Sequence, residues 1–282
     1  MPIFTNQATL SYGCTVTNSN VTEGERLRNL SVTKTAVSPD YSRGESITYV
    51  GTLSGTGVAY SGVQVTDNLG NTLMIPGGAP LEYVDGSVLY YINGVLQPAP
   101  TVTVGESVTF SGIEIPMSGT VTLVYASRVT CCAPLAEGSV IVNTVTATAT
   151  GLTEELTASA EVSVRSESEL TLAKAICPDT FTANDKITYT LILQNSGNKA
   201  IVATDNVVIS DVFAPALRNI SVTLNDAPLT AGVDYLYNEA TGEFITTEGA
   251  ITVPAASFEQ SAESCIVTVT PGVSVLTVKG TI

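Results

Sequence analysis

Apolar and polar residues alternate along most of the chain, and apolar spacing of helical period is nearly absent. Alternation with a period of two marks strands that bury one face. The alternating stretches are short, rich in Val and Thr, and separated by Gly, Pro, Asn and Asp. The pattern therefore predicts an all-β chain, with β-sandwiches as its architecture.

The pattern also repeats. Residues 30–49 (LSVTKTAVSPDYSRGESITY) and 170–189 (LTLAKAICPDTFTANDKITY) place Lys34 and Lys174 at one distance from a closing Ile-Thr-Tyr. GTLSGTG and LILQNSG follow, each a strand entering a Gly turn, and then VQVTDNL and VVISDVF, alternating strands that carry Asp67 and Asp211. DGSVLYYINGV and SVTLNDAPLTAGVDYLY read as hairpins through Asn-Gly and Asn-Asp turns. With 282 residues the chain has room for two domains, each with its own core. The reading is an arm over 1–29 and two tandem immunoglobulin-like sandwiches over 30–166 and 167–282.

The copies diverge at their ends. GTVTLVYASRV from Gly119 pairs with GVSVLTVKGTI from Gly272, which sets Ile282 against Val129. Copy one then continues through Cys131 and Cys132 into a closing strand, IVNTVTATA (141–149), and TASAEVSV (157–164); copy two shows no counterpart up to Ile282. Residues 4–12, FTNQATLSY, read like 141–149 and lead through a turn into TVTNSNVTEGERL. The same module thus recurs: Asn6 precedes Lys34 by 28 residues, and Asn143 precedes Lys174 by 31. The expectation is a donor strand presenting Phe4, Asn6, Ala8 and Leu10 to copy two of another subunit. Repeating that heterologous contact gives an open head-to-tail homopolymer. The alternative is an arm folded back onto its own copy two, giving a monomeric adhesin or binding module.

Six polar groups stand where the alternation puts apolar ones. Lys34 shares a face with Leu30, Val32 and Ala36, and Lys174 with Leu170, Leu172 and Ile176. Asp67 follows Val63 and Val65, Asp211 follows Val207 and Ile209, Asn143 lies among Ile141, Val145 and Ala147, and Asn6 among Phe4, Ala8 and Leu10. Burying any of these alone is costly, so they are expected to meet. Desolvation makes a lysine amine easier to deprotonate and a carboxylic acid easier to keep protonated. A neutral amine can then attack the asparagine carbonyl while the acid polarises it, leaving a Lys–Asn isopeptide bond and ammonia. The plainer alternative is a Lys–Asp ion pair that sets strand register beside an asparagine facing a turn.

The order K-T-A, G-E-x-I-T-Y, V-T-D-N-L, N-T-V-T-A-T resembles the conserved-repeat domain of bacterial surface proteins, domain of unknown function eleven. It also resembles collagen-adhesin-type domains, and that resemblance implies an isopeptide bond between a first-strand Lys and a last-strand Asn, promoted by a mid-sheet Asp. By position these are Lys34, Asn143 and Asp67 in copy one, an intramolecular bond. In copy two Lys174 and Asp211 fill two roles and Asn6 of another subunit supplies the third. Size and repeat arrangement are similar to appendage proteins of anaerobic endospores, which implies a fibre subunit at a cell or spore surface.

Composition narrows the chemistry further. The formal charge of −15, from 26 carboxylates against 11 basic residues, offers no basic stripe to nucleic acid. The chain has no His and no Trp, and no glycine-rich phosphate loop, CxxC pair or HExxH motif. That removes the usual general base and metal ligand, so no turnover enzyme, cofactor or metal is expected. Asp179 and Asp185 match no calcium spacing and read as solvated surface. No apolar run is long enough to cross a membrane, and MPIFTNQATL lacks the basic and apolar regions of a secretory signal. Five cysteines make an odd set, and adjacent Cys131 and Cys132 do not suit one disulfide. Cys14, Cys131, Cys132, Cys177 and Cys265 are disulfide candidates, and docking of the arm would carry Cys14 toward the copy holding Cys177 and Cys265.

Overall fold

The computed structural model describes residues 3–25, 29–71, 78–150, 152, 155–261 and 265–282; the side chains of residues 3, 4, 25 and 29, including that of Phe4, lie outside this description. The chain is all-β, and among the described residues the helical structure amounts to one 3-10 turn, Ala203–Asp205. No helix among them is long and apolar enough to cross a membrane. The fold divides into two compact units, one of Met1–Ala133 with Val140–Ser163, the other of Pro134–Ser139 with Val164–Ile282.

The arm is a long hairpin: β1 (Ile3–Asn6) pairs with β4 (Thr22–Glu25), and β2 (Thr9–Tyr12) with β3 (Thr15–Asn18). Its tip turns at Gly13, whose φ of 55° lies in the left-handed region that glycine adopts without strain. Leu10, Tyr12, Val16 and Val21 are all exposed on it.

Unit 1 continues with β5 (Asn29–Ala36), β6 (Asp40–Tyr41), β7 (Ser46–Thr56), β8 (Tyr60–Asp67), β9 (Leu81–Tyr83), β10 (Leu89–Ile92) and β11 (Val95–Gln97). It closes with β12 (Thr101–Val104), β13 (Val108–Ile115), β14 (Thr120–Val129), β15 (Val140–Thr148) and β16 (Leu156–Val164). One sheet has the order β11-β10-β14-β7-β5, with β9 also on β14; the other runs β12-β13-β8-β15-β16-β6. Alternate residues of both, among them Tyr49, Leu53, Val63, Val65, Phe110, Leu123, Tyr125 and Val145, are buried and form the core. The β10–β11 turn has Asn93 and Gly94 at φ 50° and 79°, the two left-handed residues that a tight hairpin needs.

Unit 2 contains β17 (Leu170–Cys177), β18 (Lys186–Asn195), β19 (Ser210–Val212), β20 (Arg218–Leu224), β21 (Ala227–Pro228) and β22 (Tyr235–Asn238). It ends with β23 (Glu243–Thr246), β24 (Ser257–Gln260), β25 (Val267–Thr270) and β26 (Gly272–Thr281). The order β17-β18-β26-β20-β21 reproduces β5-β7-β14-β10-β11. The registers agree as well: Lys34 faces Gly51 and Gly51 faces Leu123, while Lys174 faces Leu191 and Leu191 faces Leu276. The Asn225-Asp226 turn repeats the paired left-handed geometry at φ 49° and 65°.

The second sheets differ. In unit 1, β8 lies between β13 and β15, whereas in unit 2 the order is β19-β23-β22 and β19 is an edge. The alternating run 207–213 therefore forms only three residues of strand, since it has ladder partners on one side. Leu170 and Leu172, expected in a core, are exposed at 38% and 56%. Among the described residues no strand takes the place in unit 2 that β15 takes in unit 1.

Two buried asparagines hold the chain where it enters unit 2. Asn195 accepts the Glu169 N–H at 3.0 Å, and Asn198 accepts the Glu167 N–H at 2.9 Å. Asn198 Nδ2 donates to the carbonyls of Leu135 and Arg165, both at 3.0 Å. These bonds tie the 134–139 segment to unit 2.

A candidate cross-linking site

Strand alternation in β5, β8 and β15 aims Lys34, Asp67 and Asn143 into the unit 1 core from both sheets. They meet there. Lys34 Nζ lies 2.9 Å from Asp67 Oδ2, with both side chains fully buried, and Asn143 Nδ2 donates to the same oxygen at 3.3 Å. Asp67 Oδ1 accepts the Leu69 N–H at 2.8 Å. A further donor to Oδ2 is the hydroxyl of Tyr125, a residue at apolar phase in β14 that the sequence pattern does not single out.

The electrostatics follow from burial. Desolvation lowers Lys34 to about 8 from 10.5, opposed by the attraction of Asp67. Burial also pushes the Tyr125 phenol well up, and neighbouring Asp67 adds to the rise. Tyr49 is raised by burial and opposed by the Asn143 amide beside it, although its hydroxyl and Asn143 Oδ1 do not reach hydrogen-bond geometry. The Lys34 ammonium also sits on two ring faces, 4.6 Å from the Tyr49 centroid and 5.9 Å from that of Tyr125.

This arrangement has the parts of an amide transfer. Passing one proton from Lys34 to Asp67 leaves a neutral amine and a neutral acid, a change that conserves the charge of the buried pair. Asn143 Oδ1 has no hydrogen-bond partner in bonding geometry among the described residues, so turning it toward the acid exchanges only the 3.3 Å bond from Nδ2 for one to Oδ1. Nucleophile, acid and electrophile then share one buried pocket.

Unit 2 holds the first half of the same site. Lys174 forms an ion pair with Asp211 and lies over the Tyr189 ring at 4.6 Å and the Phe213 ring at 5.2 Å. Here the pair is open, 38% and 17% exposed, where its unit 1 counterpart is sealed. Asn6 lies on the exposed arm, its carbonyl accepting from Thr22 Oγ1 at 3.2 Å, and no described contact joins it to Lys174. Ala8 is exposed beside it, with its backbone N–H on Ser19 Oγ.

Of the cysteines, Cys132 and Cys265 are disulfide-bonded, and Cys14, Cys131 and Cys177 are free and exposed. Asp185 is engaged in its own turn, where the backbone N–H and hydroxyl of Thr182 hold its carboxyl below the ordinary range.

No family model matches the sequence, and no curated protein matches it, so the resemblance to the conserved-repeat family stays one of motifs. Among solved structures the chain is similar to BcpA, the major pilin subunit of Bacillus cereus, at 12% identity and TM-score 0.39, over 96% of this chain and 73% of that one. It is similar to a C-terminal fragment of the major pilin GBS80 of Streptococcus agalactiae at 12% identity and TM-score 0.37, over 79% and 78%. It is also similar to ACE19, the collagen-binding subdomain of the Enterococcus faecalis surface protein ACE, at 9% identity and TM-score 0.31, over 46% and 95%. Likeness at this level assigns neither family nor activity.

Proposed function

We propose that the chain is the structural subunit of a surface fibre, assembled head to tail and locked by Lys–Asn isopeptide bonds. The observation that carries this reading is the edge strand β19. It carries Asp211 to Lys174 of β17, as β8 carries Asp67 to Lys34 of β5, but without the neighbour that brings Asn143 to that pair in unit 1. An uncovered strand edge beside exposed Leu170 and Leu172 is a template for strand addition.

The occupant is the arm of a second copy. It is already a hairpin, as β15 and β16 are, and it carries Asn6 and exposed Leu10 on the face that must turn inward. In the unit 1 register Val145 lies opposite Asp67, so docking sets Ala8 opposite Asp211 and brings Asn6 to Lys174. Donor and acceptor lie on different units of one chain, so the contact propagates as an open filament.

Each bond forms once. The Lys174 ammonium gives a proton to Asp211, and the neutral amine attacks Cγ of Asn6 while Asp211 hydrogen-bonds its oxygen. The Cγ–Nδ2 bond of Asn6 breaks, and ammonia leaves carrying the surplus proton from Asp211 as ammonium. The same steps join Lys34 to Asn143 within unit 1.

Denaturing gels under reducing conditions test the assembly. Concentrated wild-type protein gives a ladder of multiples, and Asn6→Ala, Lys174→Ala and deletion of residues 1–12 each abolish it. A ladder that survives these changes, or a wild type that stays monomeric, overturns the reading.

A further inference from the structure

The geometry points to Tyr125 as a positioning residue for the Lys34–Asn143 bond, one that the second copy lacks. This rests on the cross-linking reading above. In unit 1 Tyr125 stands opposite Tyr49 across β14 and β7, and in unit 2 the residue opposite Tyr189 is Val278. The tyrosines nearest the two lysines are thus equivalent, whereas their cross-strand partners are not. Phe213, the residue that follows β19, restores the second ring over Lys174, but it brings no hydroxyl.

That hydroxyl decides how each acid is held. In unit 1 the Leu69 N–H fixes Oδ1 of Asp67 and the Tyr125 hydroxyl fixes Oδ2, which sets Oδ2 between the amine and the amide before any chemistry. Asp211 has the Val212 N–H on Oδ1 at 2.8 Å and Lys174 on Oδ2. Unit 1 is preorganised to seal itself, whereas the acid of unit 2 takes its final orientation from the arriving strand.

By donating to Oδ2 of Asp67 the Tyr125 hydroxyl stabilises negative charge on that oxygen, so its removal should be read in the pH profile of bond formation. The titratable groups facing Asp67 are Lys34 from β5, Tyr49 from β7 and Tyr125 from β14; β13 and β15 contribute Val108 and Asn143. Of the two phenols, only that of Tyr125 bonds to the carboxylate.

The test uses the full chain carrying Lys174→Ala, so that only the unit 1 bond is counted. Chains taken unfolded from inclusion bodies are refolded across a pH series, and loss of one ammonia is followed by intact mass. Tyr125→Phe slows the loss by roughly tenfold, the factor corresponding to one hydrogen bond to a charged group, and moves the acid limb of the rate profile to higher pH. Tyr49→Phe leaves that limb in place. Replacing tyrosine throughout with ortho-fluorotyrosine, a more acidic donor that keeps every ring, moves the limb to lower pH and serves if Tyr125→Phe does not fold. An unchanged rate and limb in Tyr125→Phe or the fluorinated protein, or an equal shift in Tyr49→Phe, overturns the assignment while the cross-linking reading stands. A parent chain that refolds and loses no ammonia overturns both.

Discussion

Asn143→Ala removes the electrophile of unit 1 and leaves the Lys34–Asp67 pair in place. Locally the change is close to neutral: the 3.3 Å bond from Nδ2 to Asp67 is lost, worth about 1 kcal/mol, and an unpaired buried oxygen that costs about 1 to 3 kcal/mol disappears with it. The dominant effect is loss of the cross-link between residues 34 and 143. It closes a loop of about 110 residues, worth about 4 to 5 kcal/mol by the chain-entropy relation for disulfides. For a unit of this size each kcal/mol moves the melting midpoint by about 2 to 4 °C, so unit 1 should melt roughly 10 to 15 °C lower. In a Lys174→Ala background, which prevents polymerisation, calorimetry and intact mass check both halves. The parent is one ammonia lighter than its sequence and melts high; the variant has its sequence mass and melts low. Two chains at sequence mass, or midpoints within about 3 °C of each other, would refute the reasoning.

The same variant exposes a titration that the bond hides. Lys34 is depressed from 10.5 to about 8 when folded, so above 8 the unfolded chain binds more protons and stability rises with pH. Uncross-linked Asn143→Ala should gain about 2 to 3 kcal/mol in urea unfolding between about pH 8 and 10, and the bonded parent, whose Lys34 is an amide, should not. Above about 10 the trend reverses, because buried Tyr49 and Tyr125 hold their protons in the fold and lose them unfolded. Gly197→Ala should destabilise unit 2 by about 2 kcal/mol or more in urea titration, since its Cβ would lie 2.2 Å from the Glu167 carbonyl. A thiol reagent should count three free thiols in the native chain, those of Cys14, Cys131 and Cys177, and five after denaturing reduction.

The strands and their register could be read from alternation because each strand buries one face. A repeat offset that places Lys34 on Lys174 also places Gly51 on Leu191, and the β-ladders obey it. Lys34, Asp67 and Asn143 were legible for the same reason, as polar residues at apolar phase. Tyr125 was not: at apolar phase a tyrosine reads as core, and where its hydroxyl ends depends on the strand across the sandwich. The signal that could have found it is its mismatch with Val278. The strand length of 207–213 was misread because periodicity reports faces and cannot tell how many neighbours a strand has. Among the described residues the β24–β25 hairpin has no counterpart in copy one, and Asn195 and Asn198 sit in a stretch that looks like an ordinary Gly turn.

The Lys34–Asn143 contact also determines where a pull on the proposed fibre would be borne. Force entering at Asn6 runs 28 residues to Lys34, crosses the bond to Asn143, and runs 31 residues to Lys174, where the next copy begins. Those two stretches, each at most about 90 to 110 Å when taut, make a continuous covalent thread. Residues 35–142 form a closed loop beside it and residues 175–282 hang from Lys174 by one end, and neither carries the tension. Pulled hard, such a fibre stretches by paying out its connecting segments, and the sandwiches act as dry housings around the knots.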